Sequence, residues 1–287
     1  MGSQARNGVA FVTGASRGIG RATSLALAEA GFDLVIAART VAGGEVHDYS
    51  ASARLDVRRA MPGSLDETAA LVRERGGQAA VVKLDLLDRS SVEAAAAAAS
   101  RAFGAVDVLV NNAVYQGPGT MDAVMDLTPE QVETVYRANV VHPLLLVQRL
   151  LPAMLERGRG VIVNVVSAAG MSDPPAPPDA GGWGFAYGSS KAALIRLAGA
   201  LRAEHAGAPV RFHNMEPGLI LTESMKAQGL DAAMIEQWGG APVEVPAAVV
   251  RWLVTDPGAA AWDARTLHAQ PHAQELGLVP GWPPAAG

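Results

Sequence analysis

No cysteine occurs in the 287 residues, which removes disulfides, thiolate zinc sites and a cysteine nucleophile together. A reducing compartment is compatible with that. Positive charge is also scarce: 23 Lys and Arg stand against 28 Asp and Glu, a net charge of -5. DNA, RNA and anionic membrane surfaces are therefore poor partners. Aromatic residues are only 5% of the chain, but the hydrophobic share of 49% is ample for a core built from aliphatic side chains. The opening MGSQARNG lacks the apolar segment of a secretory leader, and no apolar run is read as long enough to cross a bilayer. A cytoplasmic, single-domain protein of residues 1–287 without internal repeats is the expectation.

What is present begins with Val9-Ala-Phe-Val-Thr-Gly-Ala-Ser-Arg-Gly-Ile-Gly20, an apolar run that breaks into glycines. Val9 to Val12 read as a buried strand, and Gly18 to Ala30 as the helix that follows, stopped by Gly31. Gly14, Gly18 and Gly20 let the backbone turn tightly and approach a ligand. The unpaired N–H groups at the helix start suit a phosphate. A second strand, Leu34 to Ala38, ends beside Arg39. An acid at this edge would take the ribose hydroxyls of a dinucleotide, whereas an arginine suits a 2'-phosphate. With Arg17 inside the glycine turn, the two cations point to NADP(H) over NAD(H), although as ordinary surface side chains both would simply be solvated.

Thr40 to Gly63 shows no clear period and reads as an inserted loop carrying Arg54, Arg58 and Arg59. That cluster suits either a solvated face or a shield for the cofactor's phosphate. Strands are expected at Ala79–Leu84, ending on Asp85 and Leu86, at Val106–Val110, ending in Asn111-Asn112-Ala113, at Gly160–Val166, closing on Ser167, and at Val210–Met215, with a further one at Arg265–Ala269. Helices alternate with them: from Ser64, from a cap at Ser90 or Ser91 through Ala102, from Thr128-Pro-Glu-Gln131 through Asn139 to about Glu156, across Tyr187 to Lys191, and over Pro246–Val254. The alternation predicts one Rossmann-type α/β fold, a doubly wound parallel sheet of about seven strands with helices on both faces. Met171 to Gly182, rich in Pro and Gly, reads as a surface loop. Met225, Leu230, Met234, Ile235 and Trp238 suggest an apolar pocket or a helix face packed on the sheet. His268 and His272 have the i, i+4 spacing of a helical zinc pair, but Pro271 lies between them and no Glu adjoins His268, so no metal site is expected.

From Gly8 to Thr222 these pieces resemble the short-chain dehydrogenases/reductases, in their single-domain NADP(H)-using branch. The resemblance rests on Thr13 to Gly20, Asp85, Asn111-Asn-Ala113, Asn139, Ser167, Tyr187-x-x-x-Lys191 and Pro217-Gly218 with Thr222. It implies that Tyr187 is the general acid that protonates a carbonyl oxygen, or the base in reverse. A neighbouring Lys191 and the positive charge of the oxidised nicotinamide would lower its pKa, and Lys191 would also hold the nicotinamide ribose. Ser167 would hydrogen-bond the substrate oxygen, and Asn139 would anchor a water leading to Lys191. Gly14, Ser16, Arg17, Gly18, Ile19, Gly20, Arg39, Asp85, Leu86, Asn112, Ala113, Pro217, Gly218, Ile220 and Thr222 would contact the cofactor together with Tyr187 and Lys191. The substrate implied is a small-molecule carbonyl or alcohol, and the assembly a homotetramer or dimer. An epimerase or dehydratase that recycles its hydride, and a non-catalytic NADP(H)-binding protein, are the alternatives. The chain departs from the family pattern at Val114, where Gly is usual, at His213, in the 40–63 and 168–186 insertions, and in a C-terminal tail (about 256–287) without Asp-Gly-Gly.

Overall fold

The computed structural model describes residues 6–223 and 239–283, so Met225, Leu230, Met234, Ile235 and Trp238 lie outside the described residues. The first half of the chain runs β1 (Gly8–Thr13), α1 (Gly18–Glu29), β2 (Phe32–Ala38), β3 (Val46–Asp48), β4 (Arg58–Ala60), α2 (Leu65–Glu74), β5 (Ala79–Lys83), α3 (Arg89–Ala102) and β6 (Val108–Asn111). The second continues with α4 (Pro129–Tyr136), α5 (His142–Arg157), β7 (Gly160–Val165), α6 (Phe185–Glu204), β8 (Val210–Glu216), α7 (Glu244–Thr255), β9 (Thr266–His268) and α8 (Ala269–Glu275). Seven strands form one parallel sheet in the order β5-β2-β1-β6-β7-β8-β9. The sequence order reverses between β1 and β6, and there the carboxyl ends of the strands open a crevice.

Alternation along β1 shows how the two faces are filled. Ala10 and Val12 pack with α1, α2 and α7, whereas Val9 and Phe11 pack with α3, α5 and α6. Phe11, Leu109, Ile162 and Phe212 are fully buried, each stabilising the fold by roughly 1.5–3 kcal/mol relative to an exposed side chain. Helix starts follow local chemistry. Ser64 accepts from the Glu67 N–H at 3.1 Å, and Thr128 and Gln131 form a reciprocal capping box with Pro129 inside it. The cap of α3 is neither Ser90 nor Ser91 but Asp88, whose carboxylate accepts from the Ser90 N–H at 2.8 Å. Ser91 instead accepts from the backbone N–H of Asp85 at 3.0 Å.

Two features differ from the sequence reading. The 40–63 insertion is not merely a loop, because β3 and β4 pair as an antiparallel hairpin inside it. The helix expected through Asn139 is continuous from Pro129 to Arg157, with a π-helical stretch at Arg137–Val141. At 29 residues it is long and apolar enough to cross a membrane by length and composition, contrary to expectation, and 56% of its most apolar window is buried inside this fold.

Candidate active site

Thr13 is the hub of the crevice. Its hydroxyl donates to the Val110 carbonyl at 3.1 Å and accepts from the Asn112 and Ala113 N–H groups, both at 3.0 Å. The Asn112 amide returns the favour by donating to the carbonyls of Thr13 at 2.8 Å and Gly14 at 3.3 Å. These bonds fold the end of β6 against the glycine turn so closely that side chains are excluded. A Cβ on Gly14, whose φ is +69°, would meet the Asn112 amide at 2.7 Å, and one on Gly20 would meet the Gly14 carbonyl at 2.3 Å. Ser16 is buried, its carbonyl accepting from Arg21 at 2.9 Å. Ile19 packs on the core behind the turn. The first N–H of α1, on Gly18, donates to the Glu223 carboxylate at 2.7 Å. An oxyanion thus sits where a helix start attracts one, as the chemistry of a dinucleotide phosphate requires.

The other cofactor candidates lie along the same edge. Arg39 closes β2 with one long bond to the Asp48 carbonyl at 3.4 Å. Arg17 turns to the insertion: Nε donates to the Pro62 carbonyl at 2.8 Å, Nη2 to the Gly63 carbonyl at 2.9 Å and to Thr40 at 3.3 Å, and Nη1 to the Tyr49 hydroxyl at 3.3 Å. The Asp85 carboxylate accepts from the Leu87 N–H at 2.9 Å, and Leu86 between them is buried. Pro217, Gly218, Ile220 and Thr222 follow β8. The Glu216 carboxylate shapes this turn by accepting from the Gly218 N–H at 2.8 Å, and Gln270 of α8 donates to the Leu219 carbonyl at 3.1 Å. Ile220 is buried and bridges to Ala241, and Thr222 approaches Gly18.

Beyond β7 the chain turns at Ser167, whose hydroxyl accepts from the Ala169 N–H at 3.3 Å and whose side chain interacts with the Tyr187 phenol on α6. One turn later on the same face, the Lys191 ammonium lies 6.0 Å from the Tyr187 ring centre and donates to the Val165 carbonyl at 2.9 Å. Burial pulls the Lys191 pKa down to about 8. Burial pushes the Tyr187 phenol above its ordinary value, the Ser167 side chain opposes the rise and the Glu216 charge adds to it. It is therefore held protonated across the neutral range, the form that can give a proton. Asn139 lies in the π-helical stretch, the kind of irregularity that re-aims a side chain. Its amide clamps the backbone of Tyr115, accepting from the N–H at 2.8 Å and donating to the carbonyl at 3.1 Å, with Ser190 at 3.5 Å. The mid-helix asparagine thus fixes the 112–115 turn, half-buried Val114 included, against the helix.

Sequence reasoning missed several supporting groups. Asn111, Asn164 and Asn214 stand in register on β6, β7 and β8, each donating to the next at 3.0 and 3.2 Å, and Asn214 donates to the Ile195 carbonyl of α6 at 2.9 Å. This buried ladder ties three strand ends to the helix that carries Tyr187 and Lys191. Only side-chain identity on strands about fifty residues apart signals it. His268 and His272 are both engaged: His268 lies 3.2 Å from the Glu216 carboxylate, and His272 packs edge-on to Trp252 and Trp262. His213, at the position of a usual Asn, is buried beside the Trp262 carbonyl at 3.1 Å. A cavity of about 610 Å³ borders the 168–186 loop, lined in part by Val124, Pro174, Trp183, Phe185, Gly188 and Ser189. It adjoins the Tyr187 segment without including Ser167, Tyr187 or Lys191.

The family model for short chain dehydrogenase matches residues 8–53 and 49–233. A 3-oxoacyl-[acyl-carrier-protein] reductase of Synechocystis is 30% identical over 257 residues, 88% of this chain and 91% of that protein. Among solved structures, a 3-oxoacyl-[acyl-carrier protein] reductase from Brucella melitensis in complex with NAD superposes with a TM-score of 0.73 at 27% identity, covering 93% of this chain and 96% of the other. An actinorhodin polyketide ketoreductase with NADPH gives a TM-score of 0.71, also at 27% identity, over 91% and 94%. With its doubly wound sheet and the Ser167, Tyr187 and Lys191 cluster at the crevice, the chain belongs to the short-chain dehydrogenase/reductase family of nicotinamide-dependent oxidoreductases.

Proposed function

We propose that this protein is a carbonyl reductase or secondary-alcohol dehydrogenase that uses NADP(H) in preference to NAD(H), with a small or medium, fairly apolar substrate. The observation that carries this reading is the gathering of Ser167, Tyr187 and Lys191, the lysine ammonium 6.0 Å from the Tyr187 ring centre and one helical turn away, at the same sheet edge as the glycine turn. The Glu223 carboxylate on Gly18 supports the fit of a phosphate there, and Arg39, preceded at the end of β2 by Ala37 and Ala38 where an acid would read ribose hydroxyls, supports a phosphorylated ribose. The nicotinamide, when bound, supplies hydride to a carbonyl carbon or accepts it from an alcohol. In the reducing direction Tyr187 gives its proton to the substrate oxygen, and Ser167 donates to the same oxygen as negative charge grows on it. Lys191, held by the Val165 carbonyl, keeps a positive charge 6.0 Å from the Tyr187 ring centre. Gly14, Ser16, Gly18, Ile19, Gly20, Asp85, Leu86, Asn112, Ala113, Pro217, Gly218, Ile220 and Thr222 would line the dinucleotide.

A panel of ketones and alcohols assayed with both nucleotides tests the reaction. Tyr187→Phe should lower turnover about 100-fold or more while leaving NADPH affinity intact, since only the proton donor is removed. Turnover surviving that change would sink the assigned role. Assembly into a tetramer or dimer through α4–α5 and α6 is part of the same reading. It is supported by exposed Val124, Met125, Val141 and Phe185 beside those helices, and light scattering on the purified protein tests it.

A further inference from the structure

The insertion brings a tyrosine to the place where a 2'-phosphate would be read. The Arg17 and Arg39 guanidinium carbons lie 5.8 and 5.6 Å from the centre of the Tyr49 ring, so both cations face the same aromatic side chain. Tyr49 follows β3 directly, and its hydroxyl accepts from Arg17 Nη1 at 3.3 Å. The remaining bonds of Arg17 go to Pro62, Gly63 and Thr40, so this arginine braces the insertion. Arg39 adds to its place over the Tyr49 ring a long bond to the Asp48 carbonyl and a charge interaction with the Asp48 carboxylate, and it is partly exposed. His47 stands edge-on to Tyr49 at 6.4 Å, with its Nε2 at 3.3 Å from Glu45, which completes the wall.

An anion bridging Arg17 and Arg39 has to share the room that this ring fills. It must also take the Nη1 donor from the Tyr49 hydroxyl. We propose that Tyr49 is a specificity-determining residue for the cofactor, opposing the 2'-phosphate of NADP(H) while leaving NAD(H) unaffected. Arg39 attracts that phosphate, and Tyr49 keeps the resulting preference small. This rests on the reading of the crevice as a nicotinamide-dinucleotide site, and it moves specificity from β2 alone to a segment outside the family's usual chain length.

The test is fluorescence titration of NADPH and NADH against the full-length wild type, Tyr49→Phe, Tyr49→Ala and Arg39→Asp at one fixed salt concentration. Tyr49→Phe removes one oxygen and frees one Arg17 donor, so NADPH should bind about fivefold more tightly, the worth of one net hydrogen bond of about 1 kcal/mol. NADH affinity should stay within about twofold, which also certifies an intact fold, because NADH uses every part of the site except the 2'-phosphate corner. Tyr49→Ala should widen the ratio further. A NADPH-to-NADH affinity ratio that is unchanged or falls in Tyr49→Phe overturns the proposal. Arg39→Asp separates the two ideas: loss of NADPH preference there with no response at Tyr49 leaves the phosphate reading standing and removes Tyr49. A wild type that binds neither nucleotide overturns both.

Discussion

The glycine turn and the 40–63 insertion flank the same crevice, yet they are held by different means. In the turn, one hydroxyl and one amide, those of Thr13 and Asn112, stitch backbone to backbone across two adjacent strands. In the insertion, a guanidinium and a carboxylate do the work. Arg17 gathers Thr40, Tyr49, Pro62 and Gly63, while Asp122 takes Ser52 and the Ala53 N–H. A backbone stitched by short side chains has one available geometry. A segment held by long side chains and two loops has a geometry that depends on every partner being present. The first region is accordingly built for chemistry common to the family, and the second can differ from protein to protein without disturbing the sheet.

That contrast can be broken most severely at its stitched end. Thr13→Val keeps the shape but strands the Ala113 N–H and leaves the Asn112 N–H only the Val110 carbonyl, and should cost about 3 kcal/mol of unfolding free energy in urea titrations. A loss under about 1 kcal/mol would mean that the hub is not the anchor described. Arg17→Met should act locally, lowering the free energy of opening residues 40–63 by about 2 kcal/mol: faster proteolytic nicking there, with the urea midpoint of the sheet only slightly moved. Nicking at the wild-type rate would show that the insertion holds without its brace. Asp122→Asn, which weakens the bond with Ser52, should cost about 1 kcal/mol and leave NADPH affinity unchanged.

A last measurement sharpens the comparison by touching neither region. Burial pulls Lys191 in the folded chain down to about 8, below the ordinary lysine value of 10.5. Between those values the unfolded chain binds the extra proton, so this lysine adds stability as pH rises from about 8 to 10.5 and detracts from it below. Wild-type unfolding free energy should show that rise relative to Lys191→Met. Parallel pH profiles for the two proteins would remove the buried-ammonium description.

The same contrast explains what the sequence made legible. Val9 to Gly20 could be read because strand, turn and helix start are dictated by neighbours within a dozen residues, and β1 and α1 appear within two residues of expectation. Tyr187 and Lys191 could be placed on one face because i, i+4 spacing on a helix fixes it. The hairpin Val46–Asp48 with Arg58–Ala60 could not, since three-residue strands carry no usable alternation and their register is set by distant partners. The asparagine ladder was hidden for a related reason: Asn111, Asn164 and Asn214 meet only once three parallel strands fall into register. Tyr187 illustrates a third limit. Its neighbours were evident, but the depth of burial that raises its pKa is a property of the packed crevice.

The loop between β6 and α4 has a bearing on how this enzyme could be rebuilt. Thr120 and the Met121 N–H both donate to the Ala51 carbonyl, Arg54 pairs with Asp126, and Gly184, the residue before α6, packs against the Thr120 and Asp122 carbonyls. Residues 40–63, 117–126 and the start of α6 are therefore one interchangeable part rather than three. A graft that imports a new 40–63 insertion without its matching 117–126 partner would leave the helix carrying Tyr187 abutting a mismatched edge, whereas a graft of both would transfer as a unit.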